Sequence, residues 1–420
     1  MTGSVPIERT EPAASFAQLP LDWLIQPVTA GLFFDEYWER RPLALRRDCS
    51  AYYDSVLSLD EIDRVLTTLD LRYPDVTLKN AARDIGPEEY TVDGQALDVA
   101  RLYQLFAEGS TVTLAYMDNV IPSLTKLCRG LESVFCHPFQ ANVYLTPPGC
   151  QGARVHYDTH DVFVLQIAGS KRWITYGAPV ELPLRNQHFD PAVHSIGEPQ
   201  LQFELTAGDA VYIPRGHLHE ARATNTASLH VTLGILACTW TDFLLEAVAD
   251  ACLNDPAFRK ALPPGFARDA MPERPARETF GRLLQCLSER ASPATILARF
   301  ADEFLASCPP LLRGQMAQLA ALDRMEVDTV LEARPHLIAR LEVASNSVSV
   351  HHFGRRIAFP VHVAPAVRFA LRQGRFAVRD LPGDLDDPGK LTLARRLVRE
   401  GLLVMCNATA TRPDRGSRSK

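Results

Sequence analysis

The sequence predicts an α+β protein in which an antiparallel β-sandwich or barrel sits between helical blocks. Short runs rich in Val, Ile, Thr, Tyr and Phe, broken by Gly and Pro turns, fill the stretch from about Leu78 to Leu236. Apolar residues recur at three- and four-residue spacing on either side of it. The last block mixes helical segments with a hairpin, as a winged-helix-like module would. At 420 residues, 46% hydrophobic and 22% charged, the chain suits two or three globular domains.

The N-terminal stretch "MTGSVPIERTEPAASFAQLP" lacks the basic start and apolar run of a signal peptide and reads as a disordered lead-in. Residues 17 to 70 read as helical. "FFDEYWERRPLAL", Phe33 to Leu45, has aromatic residues at helical spacing and Arg41-Pro42 as a stop. Ser58 is an N-cap candidate, and Glu61 would complete a capping box.

The β block follows as "STVTLAYM", "FQANVYLTPPGCQG", "HDVFVLQIAGSKRWITYG", "LQFELTAGDAVYIPRGHLH" and "ASLHVTLGIL". From about Asp242 to Ala344 the pattern is helical, with Pro-rich breaks. In the last block "SVSVHHFGRRIAFP" reads as a hairpin, "APAVRFALRQG" as a helix, "FAVRDLPG" as a strand and turn, and "DPGKLTLARRLVREGLLV" as a helix with Gly401 at its C′ position, then a strand.

Composition narrows the function. No apolar run reaches about 18 residues, so no membrane span is expected. Nine cysteines without a CxxC pair point to reduced thiols in a cytoplasmic protein, not to a disulfide framework or thiolate zinc. The net charge of −6 implies no particular partner. From His351 to Lys420 basic residues outnumber acidic ones roughly two to one; the reading is a solvated face, with a nucleic-acid contact as the alternative. No phosphate loop or Ser-His-Asp arrangement stands out.

The chemistry gathers in "VHYDTHDVFVLQIAGSKRW". On a strand, residues two apart share a face, so His156 and Asp158 are expected to converge. They would be two-thirds of a two-His-one-carboxylate triad, the set that suits non-haem Fe(II). "GDAVYIPRGHLHEA" supplies the third ligand. Gly208, Pro214, Gly216 and His219 have the G-x5-P-x-G-x2-H spacing of the second cupin motif, which favours His219 over its rival His217. Burying three such residues without a use is costly. "AGS" then reads as a turn that places "KRWITYG" in a hairpin with "VFVLQI". Lys171, Trp173 and Thr175 share one face. If that face is interior, Lys171 needs an anion, which a dicarboxylate would supply; otherwise Lys171 is a surface residue and Arg172 faces inward. Asn142 and Tyr144 share a face and either bind ligand or line the barrel. His230 is expected beside the His219 strand as lining or support rather than as a ligand. His160, His188 and His194 read as surface residues near turns.

"NVYLTPPGCQGARVHYDTHDVFVLQIAGSKRW", "GDAVYIPRGHLHEA" and "SLHVTL" together resemble the JmjC-type ribosomal oxygenases of the cupin superfamily, over roughly residues 30 to 240. "FFDEYWERRPLAL" is similar to their N-terminal segment. The resemblance implies a double-stranded β-helix, the cupin or JmjC jelly roll. It implies Fe(II) held by His156, Asp158 and His219, with 2-oxoglutarate as cosubstrate, its far carboxylate on Lys171. Asn142 and Tyr144 match pocket-lining positions. The division implied is a lead-in at 1–20, a catalytic domain with N-terminal helices at 21–240, a helical homodimerisation region at 241–344, a winged-helix-like domain at 345–406 and a disordered tail at 407–420. The expected activity is hydroxylation of a ribosomal-protein side chain, histidine before arginine. The alternatives are hydroxylation of a small molecule or biosynthetic peptide, and a non-catalytic metal-binding cupin with a nucleic-acid-binding C-terminal module. Arg154 and His160 stand where the family pattern leads one to expect less polar or acidic residues.

Overall fold

The computed structural model describes residues 20–268 and 273–406. The expected lead-in and tail lie outside the described residues, apart from Pro20. The chain divides into two compact units, between Ala237 and Cys238.

The first unit opens with α1 (Pro20–Ile25) and α2 (Ala30–Glu36), then β1 (Leu43–Leu45) and α3 (Leu59–Thr68). The helical reading of residues 17 to 70 is thus interrupted, because "LAL" after Pro42 pairs with a distant strand. Ser58 caps α3 by accepting the Glu61 N–H at 3.2 Å. The expected capping box is not completed, since the Glu61 carboxylate takes Arg64 instead, at 2.7 and 2.8 Å. There follow β2 (Val76–Lys79), the short pair β3 (Thr91–Val92) and β4 (Ala96–Leu97), α4 (Val99–Ala107), β5 (Thr111–Leu114) and α5 (Pro122–Phe135). The remaining strands are β6 (Phe139–Thr146), β7 (Asp161–Ala168), β8 (Ser170–Thr175), β9 (Leu201–Thr206), β10 (Ala210–Ile213), β11 (His219–Ala223) and β12 (Ser228–Ile235).

Seven strands form one antiparallel sheet in the order β1-β10-β7-β12-β6-β5-β2, and three form a second, β11-β8-β9. Alternation sorts the large sheet into two faces. Phe163, Leu165, Tyr212, Val231 and Leu233 join the helices in one core. Val162, Val164, Val211 and Ile213 meet Trp173, Phe203 and Leu205 in another, which lies between the sheets. This is the sandwich expected, with a mixed helix and sheet composition.

Two pairings differ from expectation. β8 does not form a hairpin with β7: it pairs with β9 and β11, while β7 pairs with β10 and β12. Gly169, at φ +65°, carries the chain from one sheet to the other; a Cβ there would lie 1.9 Å from the Ala227 carbonyl oxygen. β12 pairs with β6 and β7, so His230 is not beside the His219 strand.

The second unit holds α6 (Trp240–Asn254), α7 (Glu273–Arg290), α8 (Pro293–Ser307) and α9 (Gln315–Ala321). Then come β13 (Val330–Ala333), β14 (Ala339–Val343), β15 (Ser347–His352), β16 (Arg355–Pro360), α10 (Ala364–Arg372), β17 (Phe376–Ala377), α11 (Asp387–Arg399) and β18 (Leu403–Met405). The strands form two sheets, β17-β13-β18 and β14-β15-β16. The division placed at 344/345 therefore falls in the β14–β15 turn, and one core runs from Leu322 to Met405. The short β13 was hidden in a stretch read as helical because it is completed by β17 and β18 far along the chain, whereas β14 pairs locally with β15. "FAVRDLPG" is strand only at Phe376–Ala377 and continues as a 3-10 turn. All nine cysteines are free, and no helix among the described residues is long and apolar enough to cross a membrane.

Candidate metal centre

His156 and Asp158 do not sit on a regular strand. They lie in the loop before β7, and His156 makes an isolated bridge with His219 at the start of β11. The expected convergence nevertheless occurs, for a different reason. His219 N–H donates to His156 O at 2.8 Å, His156 N–H returns to His219 O at 3.2 Å, and Gly216 N–H donates to Asp158 O at 3.0 Å. The backbone of one loop thus docks on the other.

One ligand-type atom from each of His156, Asp158 and His219 lies within 4.8 Å of the others. His156 Nε2 is 4.0 Å from Asp158 Oδ1, and His219 Nε2 is 3.7 Å from Asp158 Oδ2. The other ring nitrogens are occupied: His156 Nδ1 contacts Arg154 O at 2.7 Å and His219 Nδ1 contacts His217 O at 3.0 Å. A carbonyl only accepts, so Nδ1 carries the proton and Nε2 keeps its lone pair toward Asp158. Burial, then the neighbouring His156, pushes the His219 imidazole down to about 4. Withdrawal from water raises the Asp158 carboxyl, but His219 and His156 outweigh it and hold it below the usual carboxylate value. Two imidazoles and one carboxylate fit a divalent cation with positions left open. His217, the rival, presents its backbone carbonyl to His219; its own Nδ1 is buried without a hydrogen-bond partner.

The β8 face resolves the alternatives for Lys171. Lys171, Trp173 and Thr175 are buried, and Arg172 is exposed. Lys171 Nζ donates to Thr146 Oγ1 at 3.0 Å and lies 3.4 Å from His230 Nδ1. Neither partner is an anion, and no carboxylate pairs with Lys171 among the described residues. Desolvation pushes its amine down to about 7. His230 stacks on Tyr144 with ring centres 4.7 Å apart and planes 6° apart. Asn142, on the same face of β6, accepts the Tyr116 N–H at 3.1 Å. Trp173 spans the interior: its ring centre is 6.0 Å from that of His219 and 5.9 Å from that of His230. The indole Nε1 and Thr175 Oγ1 are buried and unpartnered. The sequence alone did not single out Thr146, although it continues the i, i+2 row of Asn142 and Tyr144.

His160 is half-buried against β12; a Cβ at Gly234 would lie 2.7 Å from its ring. It also lies within electrostatic reach of Asp158, as does Lys79. Arg154 stays exposed, donating to Ala81 O at 3.0 Å. His188 is exposed, and His194 lies beside Phe189 and Tyr157.

Comparison with known proteins places this arrangement. A JmjC domain matches residues 114–243. Ribosomal oxygenase 1 of Danio rerio is 31% identical over 312 residues, covering 70% of this chain and 57% of that protein. Ribosomal oxygenase 2 of Rattus norvegicus is 33% identical over 253 residues, covering 57% of this chain and 53% of that one. The bifunctional lysine-specific demethylase and histidyl-hydroxylase NO66 of Drosophila mojavensis is 32% identical over 242 residues, 56% of this chain and 27% of its own length. The chain thus spans little more than half, or less, of these relatives. The Escherichia coli ribosomal oxygenase YcfD, in complex with cobalt and 2-oxoglutarate, shares the fold at a TM-score of 0.52 and 19% identity, covering 90% of this chain and 98% of that one. By its domain match the chain carries a JmjC domain, and its relatives include ribosomal oxygenases, to which it is similar.

Proposed function

We propose that this protein is an Fe(II)- and 2-oxoglutarate-dependent oxygenase that hydroxylates a side chain of a ribosomal protein, histidine rather than arginine. The observation that carries the reading is the joint presence of two features inside one sandwich. Two Nε2 atoms and a carboxylate converge within 4.8 Å, and a buried lysine stands without an anion. The first fits a metal and the second fits the far carboxylate of a dicarboxylate.

His156, Asp158 and His219 would hold the metal on one side. Lys171 and Thr146 would hold the cosubstrate's far carboxylate, with His230, clamped by Tyr144, fixing the ammonium's position. Trp173 would wall the space between the two ends and keep water out of it. Asn142 would act at the rim through Tyr116. When bound, iron and 2-oxoglutarate supply the oxidising power to place one oxygen atom of O2 into a C–H bond. The chain's part is to hold both and to present the target side chain.

Histidine is favoured by charge. The groups that act most strongly on Asp158, His219, His156, His160 and Lys79, include no second carboxylate. A guanidinium would therefore find no anion there beyond Asp158 to pair with, whereas a neutral imidazole needs none. In the second unit Trp240, Leu244, Leu245, Leu253 and Phe280 are more than half exposed, which supports pairing of two copies through α6 and α7.

The test is succinate formation from 2-oxoglutarate with Fe(II), with and without ribosomal extract. Wild type is expected to respond to the extract, and His156→Ala and Asp158→Ala to lose at least about 100-fold of the rate. Variants as active as wild type would sink the metal assignment. Intact masses of ribosomal proteins, from cells with and without the gene, should differ by one oxygen atom on one protein. No difference would direct the activity to a small molecule or peptide.

A further inference from the structure

The loops that carry the ligands are joined by a buried ion cluster to which the proposed chemistry assigns no role. Asp161 lies three residues after Asp158, and Arg215 four before His219. Arg215 Nη1 is 2.6 Å from Asp161 Oδ2 and 2.6 Å from Glu39 Oε1. The Asp161 side chain is fully buried, that of Arg215 is 8% exposed and that of Glu39, at the outer end, is 33% exposed. Tyr212 OH donates to Asp161 Oδ1 at 2.7 Å and accepts the Glu39 N–H at 2.9 Å. Glu39 itself takes a left-handed backbone, φ 57°, just after Trp38, whose ring stacks on Tyr212. His137 and His217 lie within electrostatic reach of the cluster.

Ionic clusters of this kind contribute little net stability, because desolvation offsets the attraction. What this one does contribute is geometry. Asp161 marks where the His156–Asp158 loop enters β7, and Arg215 begins the loop that β10 sends to His219. Between them runs the backbone seam at which the ligands face each other. We infer that Glu39, Arg215 and Asp161 form a positioning clasp for the metal centre. It sets the separation of the two ligand loops before any metal arrives. Through Glu39 it makes the segment after α2 part of the support for ligands far away in sequence. Both carboxylates meet the one Nη1 of Arg215, held in place by its rigid planar guanidinium. The inference rests on the metal-centre reading given under Proposed function.

Co(II) is the probe, added to the full-length protein. Affinity is measured by equilibrium dialysis and ligand geometry by the d–d absorption band, with thermal melting alongside. Wild type is compared with Glu39→Gln, Arg215→Lys and the remote control Arg396→Ala. Glu39→Gln and Arg215→Lys are expected to bind Co(II) about 10- to 100-fold more weakly and to shift the band, with the control unchanged. Folded variants that keep wild-type affinity and spectrum overturn the clasp and leave the metal centre standing, even if their melting temperature falls. A wild type that takes up no Co(II) removes the metal centre and the clasp with it. Should Arg215→Lys not fold, Glu39→Gln decides alone, since it keeps the size of the side chain and alters only its charge.

Discussion

The Lys171 ammonium is withdrawn from water without a carboxylate to meet it, and that has a pH signature. Burial pushes the amine down to about 7, against about 10.4 in an unfolded chain. Between those values the unfolded chain holds a proton that the folded protein sheds, so stability rises with pH across the window. The cost is fully present below pH 7 and is on the order of 5 kcal/mol. The melting temperature without cosubstrate is therefore expected to climb from pH 7 to 10 more steeply in wild type than in Lys171→Met. Saturating 2-oxoglutarate should flatten the wild-type slope by giving the ammonium its partner. Equal slopes in the two proteins would show that Lys171 has another partner. At this scale the residues named from the sequence are gathered by the fold: His156, Asp158 and His219 lie within 4.8 Å of one another, and Lys171 is buried. The choice between inward Lys171 and inward Arg172 needed the structure, because a face is named only once the sheet has a core.

Gly169 carries the largest burden of any single turn, since it moves the chain from the seven-stranded to the three-stranded sheet. Its φ of +65°, and a carbonyl oxygen 1.9 Å from where a Cβ would stand, leave no room for a side chain. Gly169→Ala is expected to destabilise the protein by at least about 2 kcal/mol, read by urea unfolding. It should also weaken 2-oxoglutarate binding, because Lys171 lies two residues on. A variant as stable as wild type would mean that the crossing is not constrained there. The existence of nearly every strand was legible, because alternation and turn residues are local signals. Their pairing was not. The expected β7–β8 hairpin and the expected neighbourhood of His230 both assumed that strands close in sequence pair, and a double-sheet sandwich breaks that rule at its corners. The same limit hid β1 and β13, three and four residues long, whose partners lie far away.

For the whole molecule, the two units present different surfaces. The first buries its large sheet beneath helices, whereas α6 and α7 of the second leave Trp240 and Leu253 each 75% exposed. A dimer is expected by light scattering, and Leu244→Glu with Leu245→Glu is expected to give monomers at micromolar concentration. A wild-type monomer would contradict the pairing proposed for this region. The basic bias of the C-terminal block is partly neutralised within the fold: Arg375 pairs with Glu332, Arg396 with Glu400 and Arg379 with Asp328. That pairing supports a solvated face over a nucleic-acid-binding one.

The sequence by itself determined the chemistry available: a His-x-Asp pair, a third histidine set by glycine and proline spacing, and a lysine in phase with the interior. These are legible because ligand type and side-chain phase are properties of a few neighbouring residues. Only the tertiary structure decided how these side chains meet. His156 and Asp158 converge with His219 because two loops exchange backbone hydrogen bonds, not because they ride on one strand face. Glu39, Arg215 and Asp161 come together from three separate segments of the chain. Contacts of that kind are settled by strand pairing and packing across long separations, and no local pattern of residues encodes them.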